Sequence, residues 1–422
     1  MTLRFVDLFA GIGGFHEALS GGFGAECVLA SDIDPDCRAV YQDNFGIEPW
    51  GDINDLTPEG GPLRVPEHDV LCAGFPCQPF SKSGFQRGIN ETRGTLFYNI
   101  LRVLEGRRPR WVILENVRNL AGPRHRHTWA TIVKQLRALG YRVADEPAVF
   151  SPHLLPPDQG GRPQVRERVF VLCQYVGEGA HPDDLRGEPL LTNQPVGGWD
   201  PMRWRIEDYL QDDAEVPSDR YALRQTEVAW LDTWNDLLGS LPADVRLPGF
   251  PIWLDAFEAD PDIDPETPDW KADFLRKNSR FYVAHQEVID AWIDRHPELA
   301  EFPNSRRKFE WQAQQSARDV WGLVAHLRPS GIRVKRPTYL PALVAITQTS
   351  IIGWKRRRIT PREAARLQGF DDSFRLHEED AVAYRQLGNA VNVGVVEHAA
   401  RALFATAVEP AVEDELVVAA AS

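Results

Sequence analysis

The 422-residue chain has little of what would make a small, stapled or membrane-spanning protein. Its five cysteines, Cys27, Cys37, Cys72, Cys77 and Cys173, are odd in number and form no CxxC pair, which supports neither a disulfide framework nor a four-thiolate zinc site. Reduced thiols, and with them a cytoplasmic setting, are the expectation. No uncharged apolar run approaches the ~18 residues of a membrane helix, and Met1 to Ala10 shows no basic stretch followed by a long apolar one. No membrane partner is expected. Repeats of fixed period are also missing. Nor is there an excess of positive charge: 47 basic against 61 acidic side chains leave a net −14, so a uniformly basic surface is excluded. What is present is length and 43% hydrophobic residues, enough for packed cores and about two domains.

The first third alternates short β-rich runs with helical patterns. Leu3 to Phe9, Glu26 to Ser31, Asp69 to Ala73, Trp111 to Glu115 and Arg168 to Gln174 read as strands, with helices over Arg38 to Asn44 and Thr95 to Leu104 between them. This βαβ rhythm predicts an α/β fold with a doubly wound sheet, whose ligands sit beyond the carboxyl ends of the strands. From about Gly177 scattered Pro, Trp and Asp replace it, and a second, smaller and irregular domain is expected. Thr360-Pro-Arg-Glu363 has the form of a helix start, a hydroxyl cap with Pro at the first position and Glu placed to bond back, and Gly369 suits its end.

Three segments carry chemistry. Phe5 to Phe15 runs from a strand into a glycine-rich turn and a helix, and glycines let backbone approach a ligand closely. Asp32 ends the next strand, 21 positions after Gly11, where a carboxylate can accept the hydrogen bonds of a ribose; Asp52, in Gly51-Asp-Ile-Asn54, follows a third weak strand. Together they suggest an adenosine-type cofactor. Ala73-Gly-Phe-Pro-Cys-Gln-Pro-Phe-Ser81 places Cys77 in a constrained loop after a strand, whereas Cys72 has the position of an inert core thiol. Glu115 ends another strand on the same sheet edge, where a partly buried carboxyl can hold a proton. His125 and His127 have no acidic or thiol partner at metal-ligand spacing, and no metal is expected.

In this order the segments resemble the cytosine-5 DNA methyltransferase family, of the prokaryotic single-chain type. The resemblance rests on Asp7-Leu-Phe-Ala-Gly-Ile-Gly-Gly14, Asp32, Gly51-Asp-Ile53, Gly74 to Ser81, Gly94-Thr-Leu-Phe97, Glu115-Asn-Val117, Gln164-Val-Arg-Glu-Arg168, Arg358 to Glu363 and Gln386-Leu-Gly-Asn-Ala390. It covers residues 3 to 174 and 354 to 404. It implies a Rossmann-like methyltransferase sheet in a catalytic domain over residues 1–176. A target-recognition domain with its return segment would span 177–370, a C-terminal segment packing back on the catalytic domain 371–404, and a flexible tail 405–422.

The resemblance further implies S-adenosyl-L-methionine as cofactor, held by Phe9, Gly11, Ile12, Gly13, Gly14, Asp32, Ile33, Asp52, Ile53, Pro76, Leu96, Asn389 and Ala390. The family often has a tryptophan where Ile33 stands, so the adenine contact here is expected to be apolar without a comparable ring face. Catalysis would fall to Cys77, adding to C6 of a flipped-out cytosine, to Glu115 at N3 and the exocyclic amine, and to Arg166 and Arg168, expected on one strand face toward the cytosine O2 and a phosphate. The partner implied is double-stranded DNA, methylated by a monomer whose cognate restriction endonuclease would act on the same site without a stable complex. RNA cytosine methylation is a rival, but that branch has a Pro-Pro-Cys loop and a Cys-Phe-Thr element, and this chain has Phe75-Pro-Cys77 and no Cys-Phe-Thr. A catalytically silent DNA-binding regulator would be expected to lose Cys77 or Glu115.

For DNA contact the sequence offers Gln78, Ser81, Lys82, Arg87 and Arg93 after the cysteine, and Arg333, Lys335, Arg336, Arg357 and Arg358 in the variable region. The charge is unevenly spread, net −16 over residues 178–300 and +10 over residues 301–370. The basic stretch is expected to face DNA and most of the acidic one to face away.

Overall fold

Apolar runs of four or five residues in the first third become central strands buried on both faces. The structure, a computed structural model, describes residues 2–76, 96–217, 219–343 and 349–406. Cys77, Gln78, Ser81, Lys82, Arg87 and Arg93, and the tail from residue 407, lie outside the described residues. In chain order the catalytic portion runs β1 (Arg4–Leu8), α1 (Gly14–Phe23), β2 (Glu26–Ser31), α2 (Pro35–Phe45), α3 (Ile53–Leu56), β3 (Val70–Gly74), α4 (Leu96–Arg107), β4 (Trp111–Val117), α5 (Arg126–Ala138), β5 (Tyr141–Ala144), β6 (Ala148–Phe150), β7 (Gln164–Val165), β8 (Arg168–Tyr175) and β9 (Arg186–Gly187).

The sheet order is β2-β1-β3-β4-β8-β5-β9, with β6 also on β8. The pairs β1–β2, β1–β3 and β3–β4 are parallel, and β8 runs antiparallel to β4. Alternate side chains divide between two cores. Phe5, Val70, Cys72 and Ile113 point to the side covered by α1 and α2, and Val6, Leu71, Ala73 and Leu114 to the side covered by α4 and α5. The doubly wound expectation holds for β1 to β4, and the reversed β8 has a consequence for the site. Its first residue, Arg168, lies opposite Val117, so the start of β8 shares an edge with the end of β4.

The second portion comprises α6 (Gln225–Ser240), β10 (Ile252–Trp253), α7 (Asp269–Ala284), α8 (Gln286–Arg295), β11 (Lys308–Gln312), β12 (Val324–Arg328), β13 (Gly331–Lys335), β14 (Leu340–Pro341), β15 (Ile351–Ile352) and β16 (Arg357–Arg358). It is not irregular. A sheet ordered β10-β11-β13-β12-β15-β16 and three helices enclose their own core, in which the Trp234 and Phe309 rings stack at 5.1 Å. The regularity hides in the sequence because Leu231, Trp234, Leu237 and Leu238 keep helical spacing on α6 among polar neighbours, while the Pro- and Asp-rich pieces are the loops. Leu191 and Ile206 pack into the catalytic core, so the separate core begins only near Leu223.

The acidic stretch does not simply face away. Asp213 pairs with Lys355 at 2.6 Å, Glu227 with Arg358 at 2.8 Å and Asp255 with Arg307 at 2.5 Å. Charges that are segregated along the chain are thus interleaved in space.

The chain returns through α9 (Pro361–Gln368), α10 (Asp380–Asn389) and α11 (Val393–Phe404). Thr360 and Glu363 form the expected reciprocal cap, and Gly369 ends α9 at φ 91°. Helix α11 packs on α1, and the backbones of Gly160 and Gly394 meet so closely that a Cβ on Gly394 would lie 2.0 Å from the Gly160 carbonyl oxygen.

Candidate functional site

At the carboxyl edge of β1 to β4 lies a cleft of about 460 Å³, within the range of small-molecule sites. Phe9 and Gly11, both at positive φ (56° and 55°), turn the chain sharply after β1. The Gly11 N–H donates to Asp32 Oδ2 at 2.8 Å, and the Asp34 N–H donates to Asp32 Oδ1 at 2.8 Å. The carboxylate expected at the ribose is therefore fixed from both sides. Burial raises its pKa, opposed by those two N–H groups.

Asp52 caps α3 by accepting from the Asn54 N–H at 2.9 Å, and with Ile53, Pro76 and Leu96 it lines the same cleft. Ile33 stands at the rim with 73% of its surface exposed, an unusual setting for an isoleucine and one a ligand ring would cover. Asn389 and Ala390 close the cleft from the C-terminal side.

Ile12, Gly13 and Gly14 do not line it. Ile12 is buried in the core behind. A Cβ on Gly13 would lie 2.2 Å from the Phe45 ring, and one on Gly14 2.7 Å from Val391 Cγ2 and 2.8 Å from its carbonyl oxygen. These two glycines are small so that α1 can seat against α2 and the returning chain.

Glu115 is buried at the end of β4, and its Oε1 lies 3.0 Å from Arg168 Nε. Burial raises its pKa, opposed by Arg168 and Arg166. A carboxyl so placed keeps its proton to a higher pH than an exposed glutamate does. The neighbouring Asn116, which spacing alone did not single out, donates from Nδ2 to the Phe75 carbonyl at 2.8 Å. It ties the end of β4 to the segment leading to Cys77. Cys72 is fully enclosed, and burial pushes its thiol well above the ordinary value, as an inert core thiol should behave.

Arg166 departs from its expected place. It sits between β7 and β8, not within a strand, so strand alternation does not put it beside Arg168. Although it borders the cleft, its Nη1 donates to the Leu343 carbonyl at 3.0 Å and its Nη2 to Gly388 at 2.9 Å and Ala390 at 2.7 Å. Burial lowers its pKa to about 9. It clamps three backbone segments together.

The five basic residues of the variable region expected on DNA likewise have partners within the chain. Arg357 is buried, its two Nη atoms 2.9 and 2.6 Å from the Glu363 carboxylate, and Arg358 donates to Glu227 at 2.8 Å and to the Thr349 carbonyl at 3.1 Å. Arg336 donates from Nε to the Ala313 carbonyl at 3.1 Å. Lys335 is half-buried over the Tyr339 ring, and Arg333 pairs with Glu310 at 2.9 Å. No group of three or more metal-ligating side chains occurs among the described residues.

Comparison with known proteins agrees with this geometry. The family of C-5 cytosine-specific DNA methylases matches residues 3–231 and 258–405. The type II methyltransferase M.AluI of Cellulosimicrobium cellulans is 44% identical over 94% of this chain and 91% of its own length. M.BanI of Aneurinibacillus aneurinilyticus, also a type II methyltransferase, is 32% identical over 96% of both. The crystal structure of the S. pombe Dnmt2 methyltransferase shares the fold, with a TM-score of 0.51 and 20% identity over 96% of this chain and 98% of that one.

Proposed function

Since the chain belongs to the C-5 cytosine-specific DNA methylase family, we propose how its cleft carries out the family reaction. The protein is a type II DNA (cytosine-5-)-methyltransferase of the restriction-modification kind, using S-adenosyl-L-methionine. The cleft fits that cofactor: its volume is adequate, Asp32 lines it with a carboxylate fixed by two backbone N–H groups, and exposed Ile33 offers an apolar rim. Asp32 would take the ribose, Ile33, Asp52 and Leu96 would surround the adenine, and the turn at Phe9 and Gly11 would lie beneath. When bound, S-adenosylmethionine supplies an electrophilic methyl group to C5, its sulfur keeping the bonding pair.

An aromatic ring carbon is a poor nucleophile, and covalent addition removes that obstacle. In this reading the Cys77 thiolate adds to C6 of the flipped base, leaving C5 enamine-like. The Glu115 carboxyl, at N3 and the exocyclic amine, offsets the charge that grows on the ring. Arg168 orients Glu115 and meets the base, while Arg166 acts from behind as a positioning residue. Water or hydroxide then removes the C5 proton, the C6–S bond breaks, and Cys77 is restored.

The observation that carries this reading is the Glu115–Arg168 pair at the cleft edge next to the Phe75–Pro76 segment that precedes Cys77. Residues 78 to 93 would contact DNA beside the target base. No helix among the described residues is long and apolar enough to cross a membrane. The proposal includes action as a monomer on double-stranded DNA, with a cognate endonuclease that shares the site and forms no stable complex.

The test is incubation with labelled S-adenosylmethionine and duplexes containing 5-fluorocytosine. A covalent adduct that disappears in Cys77→Ser is expected. An adduct that persists in that variant, or none with any duplex that the enzyme methylates in its unfluorinated form, would overturn the mechanism.

A further inference from the structure

The second sheet has two unlike faces. Phe309 and Trp311 of β11, Ala325 and Leu327 of β12 and Ile332 and Val334 of β13 fill its core. The alternate positions carry Glu310, His326, Arg328, Arg333 and Lys335. This polar face turns toward the catalytic portion: Val324 and Ile352 at its margin belong to the catalytic core, and Lys335 lies 5.7 Å from the ring of Tyr339, which packs against His153.

Register brings three of these residues into one row, with Glu310 opposite Arg333 and Arg333 opposite His326. Glu310 Oε2 accepts from Arg333 Nε at 2.9 Å and from Arg328 Nη2 at 2.6 Å. The carboxylate is 12% exposed and the two arginine side chains 29% and 31%. One nearly buried acid therefore holds two partly open guanidinium groups on a surface with a further cation, Lys335. The described residues give Arg333 Nη1 and Nη2 no acceptor, so its planar end is fixed in direction and open to a partner.

A solvated phosphate contact needs no such fixing, because a flexible side chain reaches phosphate from many directions. Bidentate pairing with guanine O6 and N7 needs a guanidinium plane held in place. Resting on the DNA methyltransferase reading above, we propose that Arg333, oriented by Glu310, reads a guanine of the recognition sequence. Glu310 is the positioning residue, and Arg328 adds charge beside it.

The experiment methylates a randomised duplex library with the full chain and S-adenosylmethionine and sequences the products, comparing wild type with Arg333→Lys, Arg333→Gln and Glu310→Gln. Arg333→Lys keeps the charge but lacks the planar fork. It should relax discrimination at one G·C pair by roughly 5- to 150-fold, leave the other positions selective and leave the salt dependence of binding unchanged. Glu310→Gln should relax the same pair, and adding it to Arg333→Lys should cost little more. Full selectivity in Arg333→Lys, with a uniform loss of affinity and a shallower salt dependence in Arg333→Gln, would make Arg333 a phosphate contact and overturn the proposal. A recognition sequence in which no G·C pair besides the one holding the target cytosine is selected would also overturn it. Failure of the wild type to methylate any duplex would instead overturn the parent reading.

Discussion

Glu115 and Arg168 face one another at 3.0 Å across antiparallel strands, one at the end of β4 and the other at the start of β8. The acid is buried and its pKa raised, so it retains a proton at a pH where an exposed glutamate has lost it. Glu115→Gln keeps the shape and a neutral donor but cannot exchange a proton. Its kcat should fall by about 10²- to 10⁴-fold with duplex affinity nearly unchanged, read from single-turnover methyl transfer and a filter-binding titration. Equal losses in both would show that Glu115 only supports binding.

Arg166 gives the opposite pattern. Replacing it with Met leaves the carbonyls of Leu343, Gly388 and Ala390 without their shared donor. Unsatisfied buried groups cost about 1–3 kcal/mol each, so a loss of about 3 kcal/mol or more is expected in a denaturant titration, with weaker cofactor binding. Unchanged stability combined with lost duplex affinity would return Arg166 to the role that the sequence suggested.

Ile33→Ala should separate affinity from stability. The side chain is largely exposed, so the thermal midpoint should not move, while the dissociation constant for S-adenosylmethionine rises by roughly 5- to 30-fold through about 1–2 kcal/mol of lost apolar contact. Isothermal titration checks this, and an unaltered constant would remove Ile33 from the cofactor site.

Gly14→Ala forces a methyl against Val391, both its side chain and its carbonyl oxygen. Destabilisation of about 1–3 kcal/mol is expected. Gly11→Asn meets open space and an asparagine tolerates the left-handed backbone there, so that variant should stay close to wild type in a thermal melt. The reverse ranking would contradict the packing described for α1.

Asp7 lies fully enclosed on β1, and no side chain among the described residues hydrogen-bonds its carboxyl oxygens. Burial, and then the charge of Asp32, push its pKa well above 3.8, opposed by the nearby His16 N–H. The folded form therefore holds a proton that the unfolded chain releases. Its contribution to stability is full below 3.8, declines as the pH climbs toward the folded-state value and is gone above it. Asp7→Asn should remove that decline, so melting midpoints between pH 5 and pH 9 should converge toward a flatter curve than wild type. A variant as pH-sensitive as the parent would show that other groups set the slope.

Much of this was legible in the chain because local rules suffice for it. The strands before Phe9, Asp32 and Glu115 are read from short apolar runs, and the Thr360–Glu363 cap from four adjacent residues. The bond from Gly11 to Asp32 follows from two neighbouring parallel strands, whose ends must meet at one edge. Arg166 was misjudged because two arginines two residues apart share a face only inside one strand, and here a strand break falls between them. The ion pairs of Arg357 and Arg358 were not legible because their carboxylate partners, Glu363 and Glu227, are chosen by tertiary packing. The placing of acids beside bases in the second domain is invisible to any count of charge along the chain.

The close seating of Gly394 on Gly160, and of Val391 on Gly14, also bears on when the enzyme can work. The cleft wall at Asn389 and Ala390 is supplied by residues made more than two hundred positions after the strands it completes. At bacterial synthesis rates that gap lasts on the order of ten seconds or more. During it the ribosome carries a catalytic sheet with an open side, and a chain interrupted before α11 would stay in that state. Completion of the cleft is thereby deferred until the segment carrying Asn389 and Ala390 has been made and has folded back.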